Sequence, residues 1–349
     1  MNRRVVVTGF GMVSSLAPGR ETTWAAMLEG RDGLGPLTRL NLPLEPAQIA
    51  GQVPLAALRH QTLCERMALL ALEEALDGFT PPGDPGRIGV FQGAGTSGLP
   101  VAEAYLEERL AGGRGRALEP AYQTPCNVAD ALARRLGACG PRATLMNACS
   151  SSLLALGQAW ERIVAGELDV AVAGGAESLC RTTYGGFSCL KAVDPRKCRP
   201  FSRDRAGLNL GEGAARALAM ALRQGRLDAD QVDLVSAHGT ATPANDGAEC
   251  LAIRRALGPA ADAVSVTSTK SQFGHTLGAA GAFGAAAAIL ALRDQVVSPT
   301  LRLDDPDPLC DLDCTPLVAK QRRLRAALVN AFAFGGNNVS LLLGRWSGA

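Results

Sequence analysis

Apolar residues along this chain arrive in short continuous runs separated by stretches of helical spacing, a succession that predicts α/β layering around buried sheets. Arg4-Val5-Val6-Val7-Thr8-Gly9-Phe10-Gly11-Met12-Val13 reads as a buried strand turning sharply at its glycines, and residues 22–28 read as a helix. Residues 31–62 contain Pro36, Pro43, Pro46 and Pro54 and read as an irregular connection, with His60 at its end as ordinary surface. Met67, Leu70, Ala71 and Ala75 place a helix over 64–76, stopped by Gly78 and Pro81-Pro82. A strand over 87–91, a glycine turn over 93–98, a charged helix over 101–111, a loop over 114–125 and a helix over 126–136 follow.

The run Ala143-Thr144-Leu145-Met146-Asn147-Ala148 meets Cys149 and passes into a predicted helix over 150–164, after which small apolar residues alternate over 168–178 as a tightly packed strand. Residues 200–207 form a polar loop, Gly211-Glu212-Gly213-Ala214 opens another small-residue run, and 221–230 is a short charged connection. One later strand closes at His238, and another over 263–267 precedes His275. The helix after His275 is apolar on every side, which predicts a buried core helix, and Arg293-Asp294 ends it short of a comfortable membrane span. Residues 327–343 read as strand, glycine loop, strand.

Composition narrows the function classes. The 349 residues are 47% hydrophobic and 19% charged with a formal net charge of +2, so neither nucleic acid nor an anionic membrane is indicated as the main partner. The apolar run after Met1-Asn2-Arg3-Arg4 is too short for a signal peptide, and a soluble cytoplasmic protein is expected. Ten cysteines are scattered rather than clustered. Neither the Cys310/Cys314 pair nor the spacing of Cys180, Cys189 and Cys198 brings the partners a zinc site needs, so neither a disulfide framework nor a metal is expected. Gly9-x-Gly11 is half of a dinucleotide fingerprint, but Ser14 stands where the third small residue belongs; the glycines are read as shaping a turn beneath a pocket.

Three residues carry candidate chemistry. Cys149 stands before a helix N-terminus, where free N–H groups and the helix dipole favour thiolate; taken alone, packing and reactivity are both open to it. Only three histidines occur, and two sit beside glycine and threonine at element ends, in His238-Gly239-Thr240-Ala241-Thr242-Pro243 and Gly274-His275-Thr276-Leu277-Gly278-Ala279-Ala280-Gly281. An imidazole at a strand's carboxyl end faces ligand in α/β sheets, and one at a helix N-terminus tends to stay neutral.

Together with Val5-Val6-Val7-Thr8-Gly9, Asn147-Ala148-Cys149-Ser150-Ser151-Ser152 and Phe334-Gly335-Gly336-Asn337-Asn338, these strings resemble the elongating, Cys-His-His branch of the β-ketoacyl-acyl-carrier-protein synthases, condensing enzymes of the thiolase superfamily. The resemblance implies a five-layered αβαβα fold of two pseudo-repeated halves, 1–220 with the nucleophile and 221–349 with the histidines, forming one unit. It implies that Cys149 is acylated, that His238 and His275 drive decarboxylation of a malonyl thioester, and that Lys270 is the lysine near the second histidine. It makes Thr240 and Thr242 the phosphopantetheine-binding threonines, Phe334 the gating phenylalanine, and the N–H groups of Cys149 and Phe334 the oxyanion hole. No resident cofactor is implied; the partners are an acyl carrier protein and a second subunit, identical or paralogous.

Three departures from the family pattern stand out. Gly284 replaces a glutamate that often meets the lysine, the second half lacks a strand and helix before the His238 strand, and the cysteine string is closer to polyketide-type synthases. A non-catalytic chain-length-factor-like subunit is the alternative, although such relatives usually lack the cysteine. A coenzyme-A thiolase would need a second reactive cysteine late in the chain, for which only Cys310 and Cys314 are candidates.

Overall fold

The computed structural model describes residues 3–42, 48–58, 61–81, 83–115, 119–223 and 229–345; His60 falls outside them. The first part of the chain runs β1 (Arg3–Val13), α1 (Arg20–Leu28), β2 (Leu34–Pro36), β3 (Ile49–Gly51), α2 (Leu63–Leu76), β4 (Ile88–Gly93), α3 (Leu99–Leu110), α4 (Cys126–Leu136), β5 (Arg142–Leu145), α5 (Ser151–Val164), β6 (Val170–Glu177), α6 (Arg181–Cys189), β7 (Leu210–Gly211) and β8 (Gly213–Arg223). It continues through β9 (Val232–Ser236), α7 (Asn245–Leu257), β10 (Ser265–Thr267), α8 (Lys270–Phe273), α9 (Ala280–Asp294), β11 (Val296–Val297), β12 (Lys320–Gln321), β13 (Ala326–Ala333) and β14 (Asn337–Gly344).

The larger sheet has the order β1-β8-β6-β4-β5, with β4 parallel to both β5 and β6 and β8 antiparallel to β6 and β1. All eight residues of β6, Val-Ala-Val-Ala-Gly-Gly-Ala-Glu, are buried, because helices cover both faces of this strand and leave room for small side chains only. On the outer face α2 and α4 pack through Met67, Ala71, Leu72, Val128 and Leu132; on the inner face α5 packs through Ala155, Ala159 and Ile163. Thr62 caps α2 by accepting the Glu65 N–H, and Asp77 ends it in the left-handed conformation at φ 46°.

Gly9 and Gly11 do not make the turn their spacing suggests. Both lie within β1, paired to β8, and a Cβ on either would stand 2.1 and 2.0 Å from the carbonyl oxygens of Ala75 and Ala71 on α2. Their function is close approach of helix to sheet.

The second sheet has the order β10-β9-β13-β14, four strands against five in the first. In the first sheet β1 lies beyond β8; among the described residues no strand lies beyond β14, consistent with the strand and helix missing from the sequence of this half. Val235, Cys250, Ile253 and Val266 join α7 to its outer face, while Leu234 and Val329 pack inward on α9. In the middle layer α5 meets α9 so closely that a Cβ on Gly281 would lie 2.7 Å from Leu153 Cβ. The result is the expected αβαβα layering. Residues Leu277–Asp294 are apolar and long enough to span a membrane, but 83% of them are buried in this interior.

Candidate active site

The turn bearing Cys149 begins where β5 ends. Ala148–Ser150 make one 3-10 turn and α5 begins only at Ser151, one residue later than the sequence pattern suggests. Ala148 is held at φ 45°, a conformation that costs a non-glycine residue about 1–3 kcal/mol and is sustained here by local hydrogen bonds. Ser151 Oγ accepts the Asn147 N–H at 2.8 Å and lies 2.6 Å from the Ala148 carbonyl and 3.1 Å from that of Ala94; Ser150 Oγ donates to Asn147 O at 2.9 Å. Cys149 is 6% exposed within an apolar cluster that includes Leu179, Tyr184, Leu208, Leu210 and Leu277.

Two effects oppose each other at this thiol: a helix N-terminus favours thiolate and burial disfavours it. Burial pushes its pKa up to about 11, outweighing the nearby Lys270 charge, which favours thiolate.

His238 lies two residues past β9 and His275 just before the turn leading to α9. Their rings meet edge to face, 5.4 Å between centroids at 84°. Burial, reinforced by the Lys270 charge, holds both imidazoles well below the ordinary histidine pKa, so both are neutral at pH 7. The Leu277 N–H donates to His275 Nδ1 at 3.2 Å, which places the ring proton on Nε2; that atom is buried without a partner, as is Nδ1 of His238. Unpartnered buried nitrogens are rare in folded proteins, and here two occur on facing rings.

Lys270, on α8, is 5% exposed and donates from Nζ to the His238 carbonyl at 2.5 Å. Desolvation lowers its pKa, opposed first by Glu249. The N–H groups of His238 and Gly239 donate to the two carboxylate oxygens of Glu249 at 2.8 and 2.9 Å, so the His238 backbone is gripped from both sides. Gly284 faces Ser236 and Val329, whose atoms would lie 3.1 and 3.0 Å from an added Cβ, leaving little space for a side chain there. The lysine's supporting carboxylate comes from α7 instead.

Thr240 and Thr242 bring their hydroxyls to 2.9 Å of each other. Phe334, 64% exposed, stacks on Phe187 of α6 with centroids 5.7 Å apart, and Phe332 lies 5.6 Å from the His238 ring. Cys310 and Cys314 are buried in a separate apolar cluster with Cys250, away from the cluster around Cys149. Among the described residues no group of three His, Cys, Asp or Glu side chains is disposed to hold a metal ion.

Two family models match this chain, the N-terminal domain of β-ketoacyl synthase over residues 2–224 and its C-terminal domain over 205–304. The chain belongs to the β-ketoacyl synthase family. It is 33% identical to 3-oxoacyl-[acyl-carrier-protein] synthase 2 of Rhizobium meliloti (strain 1021), over 99% of this chain and 100% of that one. The fold is that of solved ketosynthases and is thiolase-like. The ishigamide ketosynthase/chain length factor superposes with a TM-score of 0.91 at 29% identity, covering 99% of this chain and 100% of the other. A type II polyketide ketosynthase, solved with its acyl-carrier protein and bound to a hexaketide, also gives 0.91, at 25% identity with the same coverage.

In this β-ketoacyl synthase the structure adds residues that the sequence reading passed over. Glu249 and Asp246 sit on α7, and Asp246 accepts the Ala241 and Phe201 N–H groups at 3.2 and 2.8 Å, so one helix fixes the whole 238–242 turn. Two acidic residues three apart, in a helix opening just after Pro243, were the available signal. Phe187 had none, because its stacking on Phe334 joins positions 147 residues apart.

Proposed function

We propose that the chain catalyses decarboxylative condensation of an acyl group held on Cys149 with malonyl-acyl-carrier protein, giving 3-oxoacyl-acyl-carrier protein in fatty-acid or polyketide elongation. The observation that carries this reading is the pair of facing, neutral, buried imidazoles, each with an unpartnered ring nitrogen, beside a lysine coupled to the only cysteine of that cluster's turn.

The Cys149 sulfur attacks the acyl thioester of the carrier; its proton leaves with the departing phosphopantetheine thiol. Malonyl thioester then enters. The bond from its α-carbon to the carboxylate breaks, carbon dioxide departs, and the electron pair passes to the thioester as an enolate whose oxygen the imidazoles stabilise. A buried site with donors already fixed makes that stabilisation large, and the same burial that raises the thiol's pKa keeps the imidazoles neutral and able to donate. The α-carbon attacks the acyl-Cys149 carbonyl, whose oxygen rests on the N–H groups of Cys149 and Phe334, and Cys149 is released as thiolate.

Lys270 acts by supporting the His238 backbone and by its charge at the thiol. Thr240 and Thr242 receive the phosphopantetheine arm, which arrives as part of the substrate, and Phe334 closes over the acyl group. No resident cofactor takes part. The partners are an acyl carrier protein and a second subunit, identical or paralogous, and the site of action is cytoplasmic. A chain-length-factor-like role is disfavoured by the presence of Cys149 and both histidines in one site. The test is condensation of acyl- and malonyl-carrier protein followed by product mass; Cys149→Ala eliminates the 3-oxoacyl product, and wild-type product formation by that variant would refute the reading.

A further inference from the structure

Glu177, the last residue of β6, is fully buried, and among the described residues no cation forms an ion pair with it. Its carboxylate instead accepts five hydrogen bonds: from the Gly95 N–H at 2.5 Å, the Thr96 N–H at 2.9 Å and hydroxyl at 2.8 Å, the Ser97 N–H at 2.9 Å, and the Gly278 N–H at 3.2 Å. Four belong to the glycine turn after β4, which cradles the protein's own anion. The fifth comes from the other half of the molecule, three residues past His275.

Both ends of this connection reach reactive residues. The Gly278 backbone and the Gly95 turn touch so closely that a Cβ on Gly278 would lie 2.3 Å from the Gly95 nitrogen. Between His275 and Gly278 stands Leu277, held at φ 43°, whose N–H fixes the His275 tautomer. On the other side, the Ala94 carbonyl lies 3.1 Å from Ser151 Oγ, which binds the turn carrying Cys149. Both turns carry local hydrogen bonds, the Cys149 turn through Asn147, Ser150 and Ser151 and the 275–279 turn through the Ala279 N–H to the Thr276 carbonyl and the Gly211 N–H to the His275 carbonyl; the Gly278 N–H is tied to Glu177 in addition.

We propose that Glu177 is a positioning residue for decarboxylation: by holding the Gly278 N–H against the Gly95–Ser97 turn, it keeps Leu277 donating to His275 Nδ1 and so keeps the His275 Nε2–H aimed at the substrate. The inference rests on the function proposed above and assigns Glu177 no contact with substrate. Its consequence is a split between half-reactions, since acyl transfer to Cys149 does not need the His275 tautomer.

The experiment compares full-length wild type, Glu177→Gln and Thr96→Val. Intact mass follows acylation of Cys149 by an acyl-carrier protein, carbon dioxide release follows decarboxylation of malonyl-carrier protein, and the 15N spectrum of the three histidines reports the His275 tautomer. Glu177→Gln lowers decarboxylation about 10- to 100-fold, the scale of a misplaced catalytic group, keeps acylation within about threefold, and mixes the His275 tautomers. Thr96→Val keeps the carboxylate, removes one donor, and shows the same split at roughly two- to fivefold, so the proposal stays testable if Glu177→Gln does not fold. A parallel loss of both half-reactions in a folded variant, or an unchanged decarboxylation rate and tautomer, overturns it. The tautomer readout needs no turnover, whereas failure of wild-type acylation and decarboxylation would count against the proposed function itself.

Discussion

Replacing Arg216 and Gln92 together by Met and Leu stabilises the protein. Arg216 is 2% exposed on β8, between the sheet and α2, where its guanidinium donates to Gln92 Oε1 and to the Ala68 carbonyl while Nη1 has no partner. Among the described residues no carboxylate pairs with it, and burial pushes its pKa down to about 9. Burying a guanidinium without a counter-charge costs several kcal/mol. Only part is recovered on substitution; removal of buried charged groups by well-packed apolar ones yields about 1–4 kcal/mol. Arg216→Met alone strands Gln92 Oε1 at a cost of about 1–3 kcal/mol and comes out near neutral, so the gain is expected in the double variant. Urea denaturation at pH 7 measures it. A double variant with a denaturation midpoint at or below wild type refutes the reasoning.

Alkylation of Cys149 by iodoacetamide rises with pH through the range approaching 11, and Lys270→Met, which removes the charge favouring thiolate, slows it about tenfold at pH 8; an unchanged rate would contradict the coupling. Gly9→Ala, whose Cβ would meet Ala75 O at 2.1 Å, costs at least about 3 kcal/mol in thermal or chemical denaturation, with no compensating gain. On the proposed role of its hydroxyl, which pairs with that of Thr240, in binding the arm and not the reacting atoms, Thr242→Val raises KM for the carrier-bound substrate about tenfold and leaves kcat within about twofold.

The elements with a strong local period were readable before the fold was known: α4 over Cys126–Leu136, α2 to within one residue, the apolar α9, and the β13 to β14 hairpin. Cys149, His238 and His275 could be picked out as candidates from the small-residue strings around them and from the family resemblance those strings carry. Long-range physics was not readable. Gly9 and Gly11 suggested a turn because glycine permits both a turn and a close approach, and only the position of α2 decides between them. The thiol's helix N-terminus was visible, but the burial that opposes it depends on leucines and a tyrosine from distant segments. Glu177 lay in plain view at a strand end, yet its partners are about 80 and 101 residues away.

The most direct test of the central claim is to measure both half-reactions on Cys149→Ala and His275→Ala in parallel. The account predicts that Cys149→Ala still decarboxylates malonyl-carrier protein but takes no acyl group, and that His275→Ala takes the acyl group on Cys149 but loses decarboxylation by about a hundredfold or more. Acylation of the Cys149→Ala protein at another residue with product formation, or wild-type decarboxylation by His275→Ala, would contradict it.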